Sequence, residues 1–246
     1  VCYQEEVRDA SRTAEVLNRV ILKAKRLSAP AQINIPRDFW TQVIDITLPA
    51  ILEFERPSGG AKAIAEAAKL LSDAKFPVIL SGAGVVIGNA IPDCVALAEK
   101  LDAPVCSNYQ HNDSFPGSHR LACGPLGYNG SKAAMELIAK ADVVLALGTR
   151  LNPFSTLPGY GIDYWPKTAK IIQVDINPDR IGLTKPVTVG ICGDAKMVAM
   201  SILKQLSASA GNAGREERKA LIHKTKSAWL QALTSMDHED DDPGTT

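Results

Sequence analysis

Apolar residues recur along the central part of the chain at two alternating spacings. In residues 61–71 and 91–101 they return every three or four positions, which is the spacing of an amphipathic helix. Short runs such as Val143–Leu147 are apolar without interruption, which is typical of strands covered on both faces. The strands predicted in this way are residues 77–82, 104–106, 142–148, 170–175 and 187–191.

Helices are predicted between most of these strands. Ser131 is placed to cap a helix that runs through Lys140, and Asp194 to cap one whose apolar face ends near Leu206. Strands that alternate with helices form parallel sheets, because each parallel connection needs a crossover. The pattern therefore predicts an α/β fold, a doubly wound parallel sheet of about six strands with helices on both faces. Helical or extended segments are expected at both ends.

The first part of the chain carries a weaker pattern. Residues 8–26 have helical spacing, with Asp9 or Ser11 as the cap, and residues 31–36 predict a short strand. This helix and strand have too little apolar surface to fold alone, so we expect them to be the end of a preceding domain. Residues 49–60 contain two prolines and two glycines, which predicts a linker.

The last part of the chain is rich in small and charged residues. Residues 207–214 contain only Ser, Ala, Gly and Asn, a composition that predicts a flexible linker. A charged helix is expected from Arg215 to about Leu233, followed by the acidic run Glu239–Asp242. That run could hold a hard cation or simply be a solvated linker, and like charges favour the linker.

Composition narrows the class of protein. The 246 residues are 46% hydrophobic, and 27 Lys and Arg balance 27 Asp and Glu, so no net field attracts nucleic acid or an anionic membrane. The opening residues do not show the pattern of a signal peptide, and the apolar runs are too short to span a bilayer. The scattered cysteines predict a reducing, cytoplasmic setting and small buried apolar side chains. They are Cys2, Cys94, Cys106, Cys123 and Cys192.

Candidate chemistry lies where predicted strands end, because parallel sheets bind ligands at the carboxyl ends of their strands. Gly82 and Gly84 suggest a dinucleotide turn, but the third glycine of that fingerprint is replaced by Ile87, and a tight turn that needs glycine dihedrals is the alternative. Arg150 could bind a phosphate or sulfonate with two hydrogen bonds, or pair with a nearby Asp. Asp175 could accept from a ribose hydroxyl, or cap the turn that begins at Pro178.

Two further segments could bind a metal or an anion. His111 and His119 lie eight positions apart in a polar loop, and a metal site needs more ligands than this pair supplies. The loop of residues 124–131 leads into a helix whose free N–H groups suit an anion. From the residues alone, the chain is an α/β domain with a possible anion or nucleotide site.

Several segments resemble, in order, those of the thiamine-diphosphate enzyme family that includes acetohydroxyacid synthase and oxalyl-CoA decarboxylase. They are residues 29–38, 82–85, 141–150 and 172–178. The resemblance implies that residues 1–48 end a pyrimidine-binding domain and that residues 49–60 are a linker. It also implies that residues 61–206 form the middle domain. Residues 207–246 would then lead to a diphosphate-binding domain that is not part of this sequence.

A closer resemblance is to the acetyltransferases of this family that act on sulfoacetaldehyde. Residues 109–119, 151–166 and 235–244 carry it. It implies that the full-length parent, cytoplasmic and assembled as a homodimer or homotetramer, converts sulfoacetaldehyde and phosphate to acetyl phosphate and sulfite in taurine catabolism. The cofactors implied are thiamine diphosphate and Mg²⁺.

The family's cofactor-binding residues do not map onto this chain. Its activating glutamate lies outside the sequence, and Gly193-Asp194-Ala195 only imitates its metal motif, because no Asn follows at the right distance. We therefore expect this segment alone to be inactive and to bind no cofactor or metal.

The resemblance does imply a set of lining residues. The residues expected to line the active site are Gln110, His111, Asn112, Tyr128, Asn129, Asn152 and Phe154. Those that match flavin-contacting segments, and could bind a nucleotide or anion, are Gly82, Gly84, Arg150, Asp175 and Ile176. The alternative function is a non-catalytic nucleotide-binding or structural middle domain of another enzyme of this family.

Overall fold

A computed structural model describes residues 1–50 and 55–237 of the chain. The chain divides into two compact units, Val1–Glu55 and Arg56–Thr246. The boundary falls inside the segment predicted to be a linker. Residues 51–54 of the predicted linker, the acidic run Glu239–Asp242 and the end of the stretch 235–244 lie outside the described residues.

The first unit is a small β-α-β arrangement. Strand β1 (Tyr3–Glu6) pairs in parallel with β2 (Ala31–Asn34), and α1 (Thr13–Leu27) connects them. Val7, Val16 and Val20 form its buried cluster. Asp9 caps the short turn of helix that precedes α1, as predicted, because its carboxylate accepts from the N–H of Ser11 at 2.9 Å. Strand β1 was not predicted, because Tyr-Gln-Glu-Glu lacks an apolar run.

The second unit is built on a sheet that, within residues 55–237, has six strands and is parallel throughout. The predicted α/β class is confirmed. The strands are β3 (Pro77–Ser81), β4 (Val105–Ser107), β5 (Ala122–Pro125), β6 (Val143–Leu147), β7 (Lys170–Asp175) and β8 (Val189–Cys192). Their order is β5-β4-β3-β6-β7-β8. The chain leaves β3 in one direction and returns to its other side at β6, so the topology reverses between these two strands.

Helices cover the sheet in two groups. They are α2 (Ala61–Asp73), α3 (Ala83–Ile87), α4 (Ile91–Leu101), α5 (Lys132–Ile138), α6 (Ala195–Gln205) and α7 (Arg215–Asp237). Helices α2 and α4 pack against α6, whereas α5 packs against α7. Ser131 caps α5 by accepting from the N–H of Ala134, and Asp194 caps α6 by accepting from the N–H groups of Lys196 and Met197, as predicted.

Strand β5 is the element of the sheet that the sequence pattern did not predict. Its four residues, Ala122-Cys123-Gly124-Pro125, contain a glycine with φ +91° and a proline. Both residues weaken a strand pattern, and proline is tolerated only at a sheet edge or a strand end. β5 is one of the two edge strands of this sheet, and its register with β4 shifts between Val105 and Cys106.

Parts of both predicted linkers belong to the packed structure of the second unit. Arg56 donates from Nη1 to the carbonyl of Gly88 at 2.8 Å, and the N–H of Asp194 donates to the carbonyl of Pro57 at 2.8 Å. Residues 207–214 were expected to be flexible, but Ala210 is buried and Gly211 lies against the backbone of Leu101. The small side chains that suggested flexibility instead allow this segment to lie close to the domain.

No helix in the described ranges is long and apolar enough to cross a membrane.

The cysteines divide into a buried and an exposed class. Cys94, Cys106 and Cys123 are buried as predicted, and burial raises the pKa of Cys94 and of Cys123 to about 12. Those thiols stay protonated at neutral pH and serve as apolar side chains. Cys2 and Cys192 are exposed, so the expectation of burial is wrong for these two.

Candidate functional site

The candidate residues gather at the carboxyl-end edge of the sheet, where β3, β4, β6 and β7 end. The order of the strands reverses between β3 and β6, and parallel sheets bind ligands at such switch points. The loops that follow these strands begin at Gly82, Asn108, Gly148 and Ile176. The fold therefore brings together four of the segments predicted from the sequence.

Glycines let the loops after β3 and β6 cross in direct backbone contact. The N–H of Gly82 donates to the carbonyl of Leu147 at 3.1 Å, and that of Gly84 to the carbonyl of Gly148 at 2.8 Å. A Cβ on Gly82 would lie 2.6 Å from the Gly148 oxygen, and one on Gly84 2.7 Å from Gly148 Cα. Gly82 has φ −132°, which any residue adopts, so the expected need for glycine dihedrals is wrong there. Gly82 and Gly84 supply space, and Gly148 supplies the positive φ of +62°.

Two buried amide side chains support this crossing, and neither was predicted. Asn108, 8% exposed, donates from Nδ2 to Thr149 Oγ1 at 2.8 Å. Gln173, 1% exposed, donates from Nε2 to the carbonyls of Thr149 at 3.1 Å and Arg180 at 3.2 Å, and its Oε1 accepts from the N–H of Gly182. A polar residue in the buried run Ile-Ile-Gln-Val is a signal that could have identified Gln173, because buried amides need partners.

The side chains of Arg150 and Asp175 differ in exposure and in their hydrogen-bond partners. Arg150 is exposed, and among residues 1–50 and 55–237 its guanidinium has no carboxylate partner, so the predicted pairing with an Asp is not seen there. Asp175 is 6% exposed, and its Oδ1 accepts from the N–H of Asn177 at 2.8 Å. Asn177, not Asp175, caps the helical turn at Pro178–Arg180. The side chain of Ile176 is 39% exposed beside them.

The loops that carry Tyr128 and Phe154 pack on each other. We call residues 125–131 the first rim loop and residues 151–165 the second rim loop. Gly127, with φ +105°, lies so close to the second rim loop that an added Cβ would overlap the carbonyl oxygen of Phe154. Tyr128 is 74% exposed and Phe154 is 63% exposed, so both present aromatic surface at the edge of the sheet.

Asn129 and Asn152 are the polar members of the rim loops. Asn152 is engaged locally, because its Oδ1 accepts from the N–H of Ser155 at 3.0 Å and caps the helical turn at Pro153–Ser155. Asn129 is exposed to solvent in the first rim loop.

The loop after β4 holds the other predicted lining residues. Gln110 is exposed, His111 Nδ1 lies 3.5 Å from Asp113 Oδ1, and Asn112 Oδ1 accepts from Ser107 Oγ at 3.1 Å. His119 serves a different purpose, because its Nδ1 accepts from the N–H of Leu121 and its Nε2 lies 3.3 Å from Glu99 Oε1. The two histidines have separate partners.

The described residues do not fit the diphosphate and metal end of a thiamine cofactor. No group of three or more His, Cys, Asp or Glu side chains placed to hold a metal occurs in residues 1–50 and 55–237. Asp194, in the Gly-Asp-Ala sequence, uses Oδ1 to cap α6 and lies 3.2 Å from Arg56 Nη1 through Oδ2. Its carboxylate is therefore committed to structure.

Comparison with known proteins gives one family and several close relatives. The family model described as "Thiamine pyrophosphate enzyme, central domain" matches residues 64–206. A protein of Rhizobium meliloti named "Probable sulfoacetaldehyde acetyltransferase" is 81% identical over 245 residues, which are 100% of this chain and 42% of that protein. The sulfoacetaldehyde acetyltransferase of Roseovarius nubinhibens is 77% identical over 100% of this chain and 41% of its own length. The chain thus spans about two fifths of these relatives.

A search of solved structures finds proteins with a similar fold. The crystal structure of benzoylformate decarboxylase from Polynucleobacter necessarius matches with a TM-score of 0.71 and 22% identity, covering 87% of this chain and 40% of that one. At this identity the match concerns the fold alone.

Proposed function

Because this chain belongs to the thiamine pyrophosphate enzyme family and contains its central domain, we propose that the whole protein is an acyltransferase that converts sulfoacetaldehyde and phosphate to acetyl phosphate and sulfite. The observation that carries this proposal is the identity of 81% and 77% with relatives of that name over the full length of the chain. Identity is much lower to relatives with another name: a protein of Methanocaldococcus jannaschii named "Probable acetolactate synthase large subunit" is 35% identical. This difference favours the acetyltransferase reaction over the synthase reaction.

In this proposal the chain contributes one wall of an active site. Residues 1–48 belong to a pyrimidine-binding domain, 49–60 join it to the middle domain at 61–206, and residues from 207 lead to a diphosphate-binding domain. Thiamine diphosphate and Mg²⁺ are held by those other parts of the protein, which is a cytoplasmic homodimer or homotetramer of taurine catabolism. The segment alone is inactive.

The exposed aromatic rings suit this role. Tyr128 and Phe154 present apolar surface that would exclude water from a neighbouring cleft, and Asn129 and Asn152 lie beside them on the rim loops. The loop after β4 would add Gln110, His111 and Asn112 as hydrogen-bonding side chains. The role proposed for all seven residues is to orient the substrate and to exclude water.

The first prediction tests the reaction with the full-length protein. Loaded with thiamine diphosphate and Mg²⁺, it should release sulfite from sulfoacetaldehyde, and acetyl phosphate should form in equal amount only when phosphate is present. We expect Phe154→Ala to lower kcat/KM about tenfold, because it removes a large apolar surface from the cleft. Leu183→Ala, at a position that is 75% exposed and outside both rim loops, is the matched control and should leave kcat/KM unchanged. Absence of sulfite from cofactor-loaded wild-type protein would reject the proposal.

A second function, nucleotide or anion binding, is favoured by the guanidinium of Arg150. Arg150 follows Gly148 by two residues in the loop after β6, and its guanidinium has no carboxylate partner among the described residues. Asp175, next to the exposed Ile176, keeps a second carboxylate oxygen that could accept from a ribose hydroxyl.

This second function predicts measurable binding of a phosphorylated ligand. Calorimetric titration of the full-length protein with ADP should give heat, and Arg150→Gln should weaken binding about tenfold by removing a charge-assisted contact. FAD and NAD are the parallel ligands, and Arg12→Gln in the first unit is the control for loss of one positive charge. No heat with any of the three ligands would eliminate this function and leave the first proposal intact.

A further inference from the structure

Tyr160 joins three separate parts of the second unit. It lies in the second rim loop, its hydroxyl donates to the carbonyl of Gly130 in the first rim loop at 3.3 Å, and its ring meets the ring edge of Trp229 in α7. The centroids of the two rings are 5.8 Å apart and their planes are inclined at 61°. This is an edge arrangement that aromatic pairs favour.

The backbone at Tyr160 also indicates a constrained position. Tyr160 has φ +51° and is followed by Gly161 with φ +72°. Bulky residues rarely adopt positive φ, so such a conformation persists where the surroundings hold it. The backbone bridge between Gly159 and Ile162 and the contact of Gly159 with Met135 hold this turn on α5.

The contact with α7 matters because α7 is fixed at its other end. The side chain of Arg218, 1% exposed, bonds to the carbonyls of Leu101 and Asp102, which precede β4, and so anchors α7 at the amino-end edge of the sheet. Trp229 is eleven residues further along the helix, roughly 16 Å away. α7 therefore reaches from the amino-end edge of the sheet to a loop at its carboxyl-end edge.

We propose that Tyr160, backed by Trp229, is a positioning residue that holds the two rim loops in register with each other and with α7. Gly127 sets the contact between the loops near Phe154, and Tyr160 closes it at the far side. The proposal rests on the proposed function only in so far as the rim loops line an active site. The mechanical coupling is independent of any reaction.

The coupling is tested by hydrogen–deuterium exchange on the full-length protein. Trp229→Leu should raise amide exchange severalfold in both rim loops, which are far from residue 229 in sequence, while exchange in β3 and β6 stays unchanged. Tyr160→Phe keeps the ring and removes only the hydroxyl, so it should raise exchange mainly in the first rim loop. Trp229→Phe retains an aromatic ring at this position, so amide exchange in both rim loops should stay close to that of wild type. Trp40→Leu is the matched control, because Trp40 is 75% exposed in the first unit.

Kinetics supply the readout that separates positioning from stability. If the rim loops bind the substrate, Trp229→Leu should raise KM for sulfoacetaldehyde about fivefold and change kcat less than twofold, with a melting temperature within about 2 °C of wild type. Unchanged exchange in both rim loops of Trp229→Leu, or faster exchange confined to the helix, would overturn the coupling. If wild-type protein releases no sulfite but exchange in both rim loops rises in Trp229→Leu, the proposed function is rejected and the coupling is supported.

Discussion

Replacing Arg218 with alanine is expected to lower the free energy of unfolding by about 4 kcal/mol or more, among the largest effects of any single change in the second unit. The guanidinium donates to backbone carbonyls that no other side chain in the described ranges is shown to satisfy. These carbonyls belong to Lys75, Leu101, Asp102, Gly211 and Ala213. Buried acceptors left without donors cost about 1–3 kcal/mol each where water cannot reach them.

The geometry requires arginine. Burial lowers the pKa of the Arg218 guanidinium and the charge of Asp102 opposes that shift, so the side chain stays charged in any working range. Lysine offers one donor centre where arginine offers a planar fork of five N–H groups. Arg218→Lys should therefore recover only a small part of the lost stability. Lys219→Ala, which removes an exposed pair with Glu216, should change stability by less than about 0.5 kcal/mol.

Denaturant unfolding followed by circular dichroism gives the free energies, and amide exchange locates the loss. In Arg218→Ala we expect fast exchange at the start of α7 and in residues 207–214, since the same guanidinium binds both to the domain. A change below about 1 kcal/mol in Arg218→Ala would mean that water satisfies these carbonyls and that the anchor is dispensable.

The architecture of the second unit could be predicted because its signals are local. Uninterrupted apolar runs such as Val143–Leu147 and capping residues such as Ser131 and Asp194 specify strand and helix from their own few residues. The strands that such runs marked all occur within one residue or two of the predicted bounds. The parallel topology followed from the helices between them.

The features that the sequence pattern did not predict depend on contacts with residues distant in sequence. Arg218 stands in a helix of charged residues, and nothing in Arg-Glu-Glu-Arg distinguishes it from its exposed neighbours. Its burial is decided by carbonyls at residues 75, 101 and 102, which lie more than a hundred positions away. The flexibility predicted for residues 207–214 came from composition, which describes an isolated segment, whereas in the structure Ala210 is buried against the domain.

The location of the candidate site could be predicted, but the residues that support it could not all be predicted. The edge of the sheet where Gly82, Arg150 and Asp175 would meet follows from parallel topology, and the structure brings their loops together. The nucleotide- or anion-binding roles of these residues remain predictions. Of their supports, Gln173 could be noticed as a polar residue in an apolar run, but its partner and the role of Asn108 depend on a hydrogen bond to another strand's loop.

Gly148→Ala should be the most damaging substitution among Gly82, Gly84 and Gly148, because two separate penalties coincide. Its φ of +62° is a conformation in which an L side chain costs about 1–2 kcal/mol. Its Cβ would also lie 2.7 Å from Gly84 Cα and 2.8 Å from the backbone nitrogen of Val85. Those neighbours are backbone atoms that cannot rotate away, and such overpacking costs a further ~1–3 kcal/mol. We expect a total loss of about 2–5 kcal/mol.

Comparing glycines separates the two penalties. Gly82→Ala has an ordinary φ and meets Gly148 O at 2.6 Å, so its loss of stability reports crowding alone. Gly117→Ala, which has no heavy atom within 4 Å of the added Cβ and no positive φ, is the matched control and should be neutral or slightly stabilising. Unfolding free energies of the three variants should fall in the order Gly117→Ala, Gly82→Ala, Gly148→Ala, from most to least stable. If Gly148→Ala proved as stable as Gly117→Ala, the loops after β3 and β6 would not cross in contact, and the glycines would have to be explained by a ligand instead.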